Sequence, residues 1–256
     1  MMRRMWGLLM WGLLAVFLLA ASAPGAALAA GVPIDAAHFP DTAFIVFVRE
    51  HDTNSDGILS PEEIEAAKSM IVKPDFGAKN LKGIEYFTYL ETLVCSNLEL
   101  TSLDLSGNKK LTSLHCANNL LTSLDLSENT ELKTLHCENN NALTSLNVSR
   151  NTKLETLNCT NNPLTTLDVS KNTALKGLHC EKNRLTFLDL QGLNLLSSVD
   201  VGGQARDGLK VRKIGSEYVV DLGMFLLSAD RFGKVSNLSG RTSSGVAGLI
   251  SYSNGK

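Results

Sequence analysis

Residues 111–119 read LTSLHCANN, and this string decides the fold because it recurs along the chain. Residues 132–140 read LKTLHCENN, residues 154–162 read LETLNCTNN, and residues 175–183 read LKGLHCEKN. All four share the pattern L-x-x-L-x-C-x-x-N, and residues 90–98, LETLVCSNL, follow it with leucine in the last position. The five cysteines of these strings stand at intervals of 21, 21, 22 and 21 residues. The chain therefore contains an internal repeat of about 21 residues.

A second string alternates with the first. Residues 121–129 read LTSLDLSEN, and closely related strings stand at 100–108, 143–151 and 164–172. Each coil thus has two halves of similar pattern, and we expect both halves to be extended. One coil cannot bury its own leucines, whereas stacked coils share a continuous core. The period therefore predicts a solenoid built mainly of β-structure.

Stacking places equivalent residues of successive coils in columns. We expect a buried leucine column, a cysteine column that Val201 continues, and an asparagine ladder whose amides satisfy backbone groups of the turns. Leu98 and Leu193 are expected to replace asparagine at the two ends. The columns are Leu93, Leu114, Leu135, Leu157 and Leu178; Cys95, Cys116, Cys137, Cys159 and Cys180; and Asn119, Asn140, Asn162 and Asn183.

The five cysteines are predicted to be free, buried thiols. Side chains stacked on parallel strands lie about 4.8 Å apart and point the same way. A disulfide needs Cβ atoms about 3.8 Å apart, with side chains that face each other. The column therefore predicts core packing without disulfides.

These strings resemble the cysteine-ladder type of bacterial leucine-rich repeats, as in internalin-like secreted surface proteins. The resemblance covers about residues 81–201. It implies a curved, right-handed solenoid used for adhesion or contact with other proteins. It does not name a ligand.

Residues 52–63, DTNSDGILSPEE, fit the EF-hand calcium loop at every defining position, with glycine at the sharp turn. Ca²⁺ is therefore the expected cofactor. The expected ligands are the side chains of Asp52, Asn54 and Asp56, the carbonyl of Ile58, Ser60 directly or through water, and both oxygens of Glu63.

The segments around this loop read as helices. Residues 41–51 place Phe44, Phe47 and Val48 on one face, and Ser60 followed by proline and two glutamates is a good helix start. Residues 81–88 would then link the cap to the first coil. The sequence contains no second loop, although EF-hands generally work in pairs. We favour a structural calcium site over a calcium sensor, and a dockerin is disfavoured because it needs a duplicated loop. The arrangement resembles exported bacterial proteins in which one EF-hand precedes cysteine-type repeats.

Residues on either side of each buried leucine should point outward and form a contact face. Small and polar side chains suit a wet, adaptable contact with a protein. Stacked histidines could instead bind a metal ion, but this is disfavoured because no carboxylate column interleaves them on the strand. The predicted face consists of Thr92, Val94, Ser113, His115, Thr134, His136, Thr156, Asn158 and His179.

The other half of the coil carries a column of acidic residues. We expect each carboxylate to bond turn amides near the serine two residues on, rather than to form a second cation site. This column consists of Asp104, Asp125, Asp168 and Asp189, with Asn147 between the second and third.

Composition and motifs argue against several functions. The net charge of −2 does not favour nucleic acid as a partner. The sequence lacks a nucleophile paired with a base, a glycine-rich phosphate loop and the string H-E-x-x-H. We therefore expect no enzymatic activity.

Residues 1–29 are predicted to be a signal peptide. Arg3 and Arg4 precede an apolar run over residues 7–21, and Ala27 and Ala29 occupy the small positions before the expected cleavage after Ala29. The alternative is an uncleaved anchor, but a run of about 15 residues is short of the roughly 20 that span a bilayer. We expect a secreted protein without a transmembrane anchor in its mature chain. It would be extracellular or at the cell surface, with the periplasm as a further possibility.

The expected domain organisation is a signal peptide (1–29), a helical cap with one EF-hand loop (30–80), the solenoid (81–202), and a small or truncated β-module (203–256). In the last segment, residues 209–222 read as a hairpin around a two-residue turn, and residues 249–253 read as another strand.

The leading functional hypothesis is a secreted or surface-associated, adhesin-like protein that binds a host or cell-surface protein. One alternative is a structural spacer or inhibitor-like envelope protein that binds the bacterium's own partner. A glycan-binding accessory is disfavoured because sugar platforms usually need exposed aromatic residues, and the coil faces offer essentially only Phe187.

Overall fold

The computed structural model describes residues 31–186, 188–190 and 192–204, together with strand segments between 212 and 250. Its central feature is a sheet of seven parallel strands: β3 (Ser69–Ile71), β4 (Thr92–Val94), β5 (Ser113–His115), β6 (Thr134–His136), β7 (Thr156–Asn158), β8 (Gly177–His179) and β10 (Ser198–Asp200). Their order across the sheet is β10-β8-β7-β6-β5-β4-β3. The predicted solenoid is confirmed, and its sheet begins with β3, ahead of residue 81.

The register of this sheet forms the predicted core columns. Leu114 pairs with Leu135 and Leu135 with Leu157, and these side chains have no exposed surface. All five cysteines are free and buried, as predicted, and Val201 continues their column in the core. Burial raises the pKa of Cys116 and of Cys159 to about 12. The thiols therefore serve as apolar core groups.

The other half-turn differs from the prediction. Among the described residues 100–172, strands occur only in the cysteine half-turns. The carbonyls of the other half-turn bind buried asparagine side chains of the next coil, and not strand amides. Asn129, for example, donates its side-chain amide to the carbonyls of Leu105 and Asn108. This second buried ladder, which the sequence reasoning missed, consists of Asn108, Asn129, Asn151 and Asn172.

The predicted asparagine ladder is present beside the cysteine column. Asn119 donates to the carbonyls of Cys95 and Cys116 and accepts from the amides of Leu98 and Leu100. Its side chain therefore ties two coils together.

The C-terminal end of this ladder corrects the prediction. Gln204, 21 residues after Asn183, takes the place that was assigned to Leu193. Its side chain donates to the carbonyls of Cys180 and Val201 and accepts from the amide of Leu185. Glutamine carries the same amide as asparagine, so it continues the ladder.

The helical cap at the N-terminus also matches the prediction. It contains β1 (Val32–Pro33), α1 (Thr42–Val48), a 3₁₀ turn (Arg49–His51), β2 (Ile58–Leu59) and α2 (Pro61–Ala66). Helix α1 is capped by Asp41 and buries Phe44, Phe47 and Val48, while α2 begins with a capping box formed by Ser60 and Glu63. Two further 3₁₀ turns, Pro74–Phe76 and Ile84–Tyr86, lead into the first coil.

Phe39, Phe44 and Phe87 are fully buried and bring the cap and the coils into one core. Phe39 contacts both Phe44 and Phe87, with ring centroids 6.1 and 6.4 Å away.

The C-terminal segments contain two short antiparallel pairs, of which the sequence predicted the first. β11 (Arg212–Ile214) pairs with β12 (Glu217–Val219), within the expected hairpin at 209–222. β15 (Ala247–Ile250) overlaps the strand expected at 249–253 and pairs with β14 (Leu238–Arg241), a partner that was not predicted. β13 (Phe225–Leu226) runs parallel to β9 (Leu188–Asp189). In the part of the chain that the structure describes, no helix has the length and apolar character to cross a membrane.

Candidate binding face and calcium loop

The outward side of the sheet brings together all nine residues of the predicted contact face. On strands β4–β8 the central residue is buried and its two neighbours are half-buried. The register places Thr92, Ser113, Thr134 and Thr156 in one column, and Val94, His115, His136, Asn158 and His179 in the other. The last strand adds Ser198 and Asp200, which the sequence reasoning missed although the repeat spacing points to both.

The centre of the face carries two stacked imidazole rings. The ring centroids of His115 and His136 lie 4.6 Å apart, and the ring planes differ by 13°. Nε2 of His115 lies 3.1 Å from the hydroxyl of Ser113. Burial and the neighbouring His136 lower the pKa of His115 against the opposing effect of Glu138.

Two single carboxylates approach this histidine column, although no column of carboxylates interleaves it. Glu138 belongs to the next outward column along the strand, and its Oε2 lies 3.8 Å from Nδ1 of His136. Asp200 lies 2.7 Å from Nδ1 of His179. Glu138 follows His136 by two residues in the same coil, whereas the parallel register brings Asp200 beside His179 of the preceding coil.

The predicted calcium loop has its side-chain oxygens folded inward onto its own backbone. Asp52 accepts from the amides of Asp56 and Gly57, at 3.2 and 2.9 Å. Asn54 accepts from the amide of Asp56 at 3.0 Å, and Asp56 accepts from the amide of Ile58 at 2.8 Å. The backbone turns through positive φ at Gly57, where glycine is favoured, with a φ of 80°.

Glu63 closes the loop from its far end. Its Oε1 accepts from the amide and hydroxyl of Thr53, and its Oε2 accepts from the amide and hydroxyl of Ser60. Burial alone would raise the pKa of Glu63, but these hydrogen bonds outweigh it and hold the pKa at about 2. The carboxylate is therefore ionised at neutral pH while being only 7% exposed.

The groups that donate hydrogen bonds to Glu63 decide whether this carboxylate can also bind Ca²⁺. Each Glu63 oxygen holds one fixed amide and one hydroxyl that can rotate away. Release of both hydroxyls would leave one lone pair on each oxygen for bidentate binding. The acidic side chains have not closed around a common point, since the described residues contain no group of three or more His, Cys, Asp or Glu side chains placed to hold a metal. The donor types fit Ca²⁺, and binding would draw them together.

The short strand β1 lies beside this single loop. β1 pairs antiparallel with β2, with Val32 opposite Leu59 and Pro33 opposite Ile58. Both Val32 and Leu59 are fully buried. The loop therefore has a β-partner from the start of the described chain and does not depend on a second EF-hand for one.

The acidic column of the other half-turn bonds turn amides, as predicted. Asp104, Asp125 and Asp168 each accept from the amide of the serine two residues on at 2.9 Å, and Asn147 does so at 3.0 Å. Because these carboxylates are bonded within their own turns, the sheet face and the calcium loop remain as the candidate sites.

Similarity to known proteins was found among solved structures. An internalin, InlF, from Listeria monocytogenes is 27% identical over 67% of this chain and 53% of that chain, with a TM-score of 0.56. Internalin C2 from the same organism is 20% identical over 68% of this chain and 79% of that one, also with a TM-score of 0.56. The functional domain of InlJ from L. monocytogenes, described as including a cysteine ladder, is 25% identical over 70% and 54% of the two chains, with a TM-score of 0.38.

Other comparisons gave no match: no protein-family model and no curated protein matches this sequence. The chain spans about half the length of the InlJ and InlF structures. The similarity to InlF and internalin C2 agrees with the solenoid described above, so the fold is a leucine-rich-repeat solenoid.

Proposed function

We propose that this protein is an exported, protein-binding leucine-rich-repeat protein that binds its partner through the outward face of strands β4–β8 and β10. The observation that carries the proposal is the face itself: a continuous parallel sheet whose outward side chains are half-buried and polar. Solenoids use such extended surfaces to contact other proteins. The similarity to InlF supports the same reading.

The chemistry of the face favours a protein partner. Hydroxyls of Ser113, Thr134 and Thr156 alternate with imidazoles and an amide, so the face offers donors and acceptors over several coils. Such side chains form adaptable and partly hydrated contacts. The partner in this proposal is a host or cell-surface protein.

A charge placed on the face tests this assignment. The purified protein is applied to an array of extracellular-matrix proteins, cell-surface proteins and glycans, in millimolar calcium and in chelator. Thr134→Arg should abolish a protein contact, whereas Thr101→Arg, at an exposed position in the other half-turn, should leave it unchanged. Equal binding by both variants would refute the face. Folded protein without a hit in either buffer would favour the spacer hypothesis and a partner in the bacterial envelope.

The proposal includes Ca²⁺ bound by Asp52, Asn54, Asp56, Ser60, Glu63 and the carbonyl of Ile58. The ion would join α1, β2 and α2 and so brace the cap against the first coil. An extracellular module of this kind binds Ca²⁺ at about 10⁻⁴–10⁻³ M, which suits a structural role where calcium is nearly constant.

Calorimetry of CaCl₂ binding to chelator-treated protein tests the loop. Glu63→Gln should weaken binding sharply because it removes the bidentate charge. Glu62→Gln is the matched control, since Glu62 is the exposed neighbour and is not an expected ligand. Unchanged affinity in Glu63→Gln would refute the site.

Export by residues 1–29 completes the proposal, because the charged start, the apolar run and the small residues before Ala30 suit a signal peptidase. N-terminal sequencing of the exported protein should begin at Ala30. A start at Met1 would support the uncleaved anchor.

A further inference from the structure

The N-terminal strand β1 holds one side of the calcium loop. It pairs antiparallel with β2, which forms part of that loop. The pairing continues one residue beyond the strand, since the amide of Ile34 donates to the carbonyl of Gly57 at 2.9 Å. Residues 32–34 therefore face three consecutive residues of the loop, 57–59.

The register of this pairing keeps the carbonyl of Ile58 free of β1. Opposite residues of an antiparallel pair alternate between hydrogen-bonded and non-hydrogen-bonded pairs. Because Ile34 bonds to Gly57, Pro33 and Ile58 form the next, non-hydrogen-bonded pair. Pro33 also has no N–H to donate. Ile58 is the loop residue expected to bind Ca²⁺ through its backbone carbonyl, and a slip of one residue would turn that carbonyl toward β1.

Close packing fixes β1 in this register. Val32 and Leu59 lie opposite each other and have no exposed surface. Gly31, which precedes the strand, has a φ of 78°, and a Cβ there would lie 2.6 Å from Cγ2 of Ile58 and 2.9 Å from the carbonyl oxygen of Leu59. Glycine suits both the positive φ and the close approach. The start of the strand is therefore packed directly against the part of the loop that carries the backbone ligand.

We propose that residues 31–34 are a positioning element of the calcium site, which takes the place of a paired second loop and raises the affinity of this single loop for Ca²⁺. This inference rests on the proposed calcium binding. A carbonyl that is already held in place loses less conformational freedom when the ion binds than one in a free loop. Fixing the backbone of one residue corresponds to about a tenfold change in affinity.

Calorimetry of CaCl₂ binding to the full protein, after treatment with chelator, tests this role. In Gly31→Ala the added Cβ displaces β1 from β2, so the Kd for Ca²⁺ should rise by about tenfold or more. Gly77→Ala is the matched control. Its φ of 74° gives similar backbone strain, but a Cβ there meets nothing within 4 Å, so the Kd should stay unchanged.

A second control separates positioning from a general loss of cap stability. Gly83→Ala would place a Cβ 2.2 Å from the ring of Phe39, outside β1 and the loop. It should destabilise the cap but leave the calcium affinity of the folded protein unchanged. Circular dichroism verifies that each variant is folded at the temperature of the titration. An equal rise in Kd in Gly31→Ala and Gly83→Ala, or no rise in Gly31→Ala beyond that in Gly77→Ala, would overturn the proposal.

Hydrogen exchange in the natural protein tests the same link without a substitution. If β1 raises the affinity for Ca²⁺, bound Ca²⁺ must stabilise β1 by the same factor. The amide of Ile34 should therefore exchange about tenfold more slowly in saturating CaCl₂ than in chelator, relative to the amide of Cys159, which bonds to His179 in the solenoid. Unchanged relative exchange at Ile34 in protein that binds calcium would refute the positioning role. Absence of calcium binding by the natural protein would refute the calcium site itself.

Discussion

Replacing Asn140 with alanine removes one rung of the ladder that joins successive coils. Its side chain donates to the carbonyls of Cys116 and Cys137 at 3.1 and 3.0 Å, and accepts from the amide of Leu121 at 3.1 Å. Alanine leaves the amide of Leu121 buried without this partner, which costs about 1–3 kcal/mol. The carbonyls of Cys116 and Cys137 each lose one of two bonds, because Asn119 and Asn162 still donate to them, and each lost bond costs about 0.5–1.5 kcal/mol. At the lower limits, Asn140→Ala should reduce the free energy of unfolding by about 2 kcal/mol.

Urea unfolding followed by far-ultraviolet circular dichroism measures this loss as a lower midpoint. Asn118→Gly is the control: Asn118 is exposed, its φ of 54° suits glycine, and its side chain accepts one hydrogen bond, from Asn139. Its loss should not exceed about 1 kcal/mol, the net value of an ordinary hydrogen bond. If Asn140→Ala loses no more stability than the control, the ladder is not the brace that the hydrogen bonds indicate.

Three further results are expected. Because the pKa of Glu63 falls from 4.5 to about 2 on folding, its contribution to stability is present above about pH 4.5 and is lost as the pH falls toward 2. Thermal unfolding in chelator should show this loss in the natural protein, and Glu63→Gln should lack that part of the pH dependence. Gly83→Ala should destabilise the cap by about 2 kcal/mol or more, because its φ is 104° and a Cβ would lie 2.2 Å from the ring of Phe39. Gly77→Ala, with a φ of 74° in open space, should cost only the backbone strain of about 1 kcal/mol, so equal losses would argue against the steric cause. All five cysteines are buried with raised pKa values, so a thiol reagent should label none in the folded protein and five after unfolding; early labelling of any one would contradict its place in the core.

Most of the solenoid follows from spacing alone. The cysteine interval fixes which residues share a column, so burial of Leu114, Leu135 and Leu157 and the absence of disulfides could be predicted without coordinates. Helix α1 was equally readable, because Asp41 is a good cap and the phenylalanines follow helical spacing. Regular repetition makes these predictions robust, since each coil repeats the same evidence.

The wrong predictions concern segments that share a sequence pattern but form different hydrogen bonds. The two half-turns share the same leucine spacing, yet in the second half-turn buried asparagines bind the carbonyls of the preceding coil and take the place of a strand ladder. Gln204 was missed because the ladder was predicted from a recurring asparagine, whereas this glutamine continues it with the same side-chain amide. Both results depend on contacts between coils, which a linear pattern does not specify.

The candidate sites show a similar division. Their residues were readable, since the loop motif is strict and the face follows from the strand period. The hydrogen bonds from Thr53 to Glu63, the pairing of β1 with β2, and the approach of Asp200 to His179 were not. Each of these depends on the path of the backbone in space, where residues from different turns or coils become neighbours.

Near-identical coils create an ambiguity of alignment that the N-terminal cap resolves. A chain whose units repeat every 21 or 22 residues could stack with its strands displaced by a whole unit and still bury leucine on leucine. Phe39 and Phe87 occur outside the repeated strings and pack together in one arrangement, so they provide a fixed origin from which the coils are counted. Because strand order follows chain order from β3 to β8, the cap can seed folding from one end, one coil at a time. Whole units could then be gained or lost downstream without altering the origin, which makes the length of the binding face adjustable in evolution while the cap stays constant.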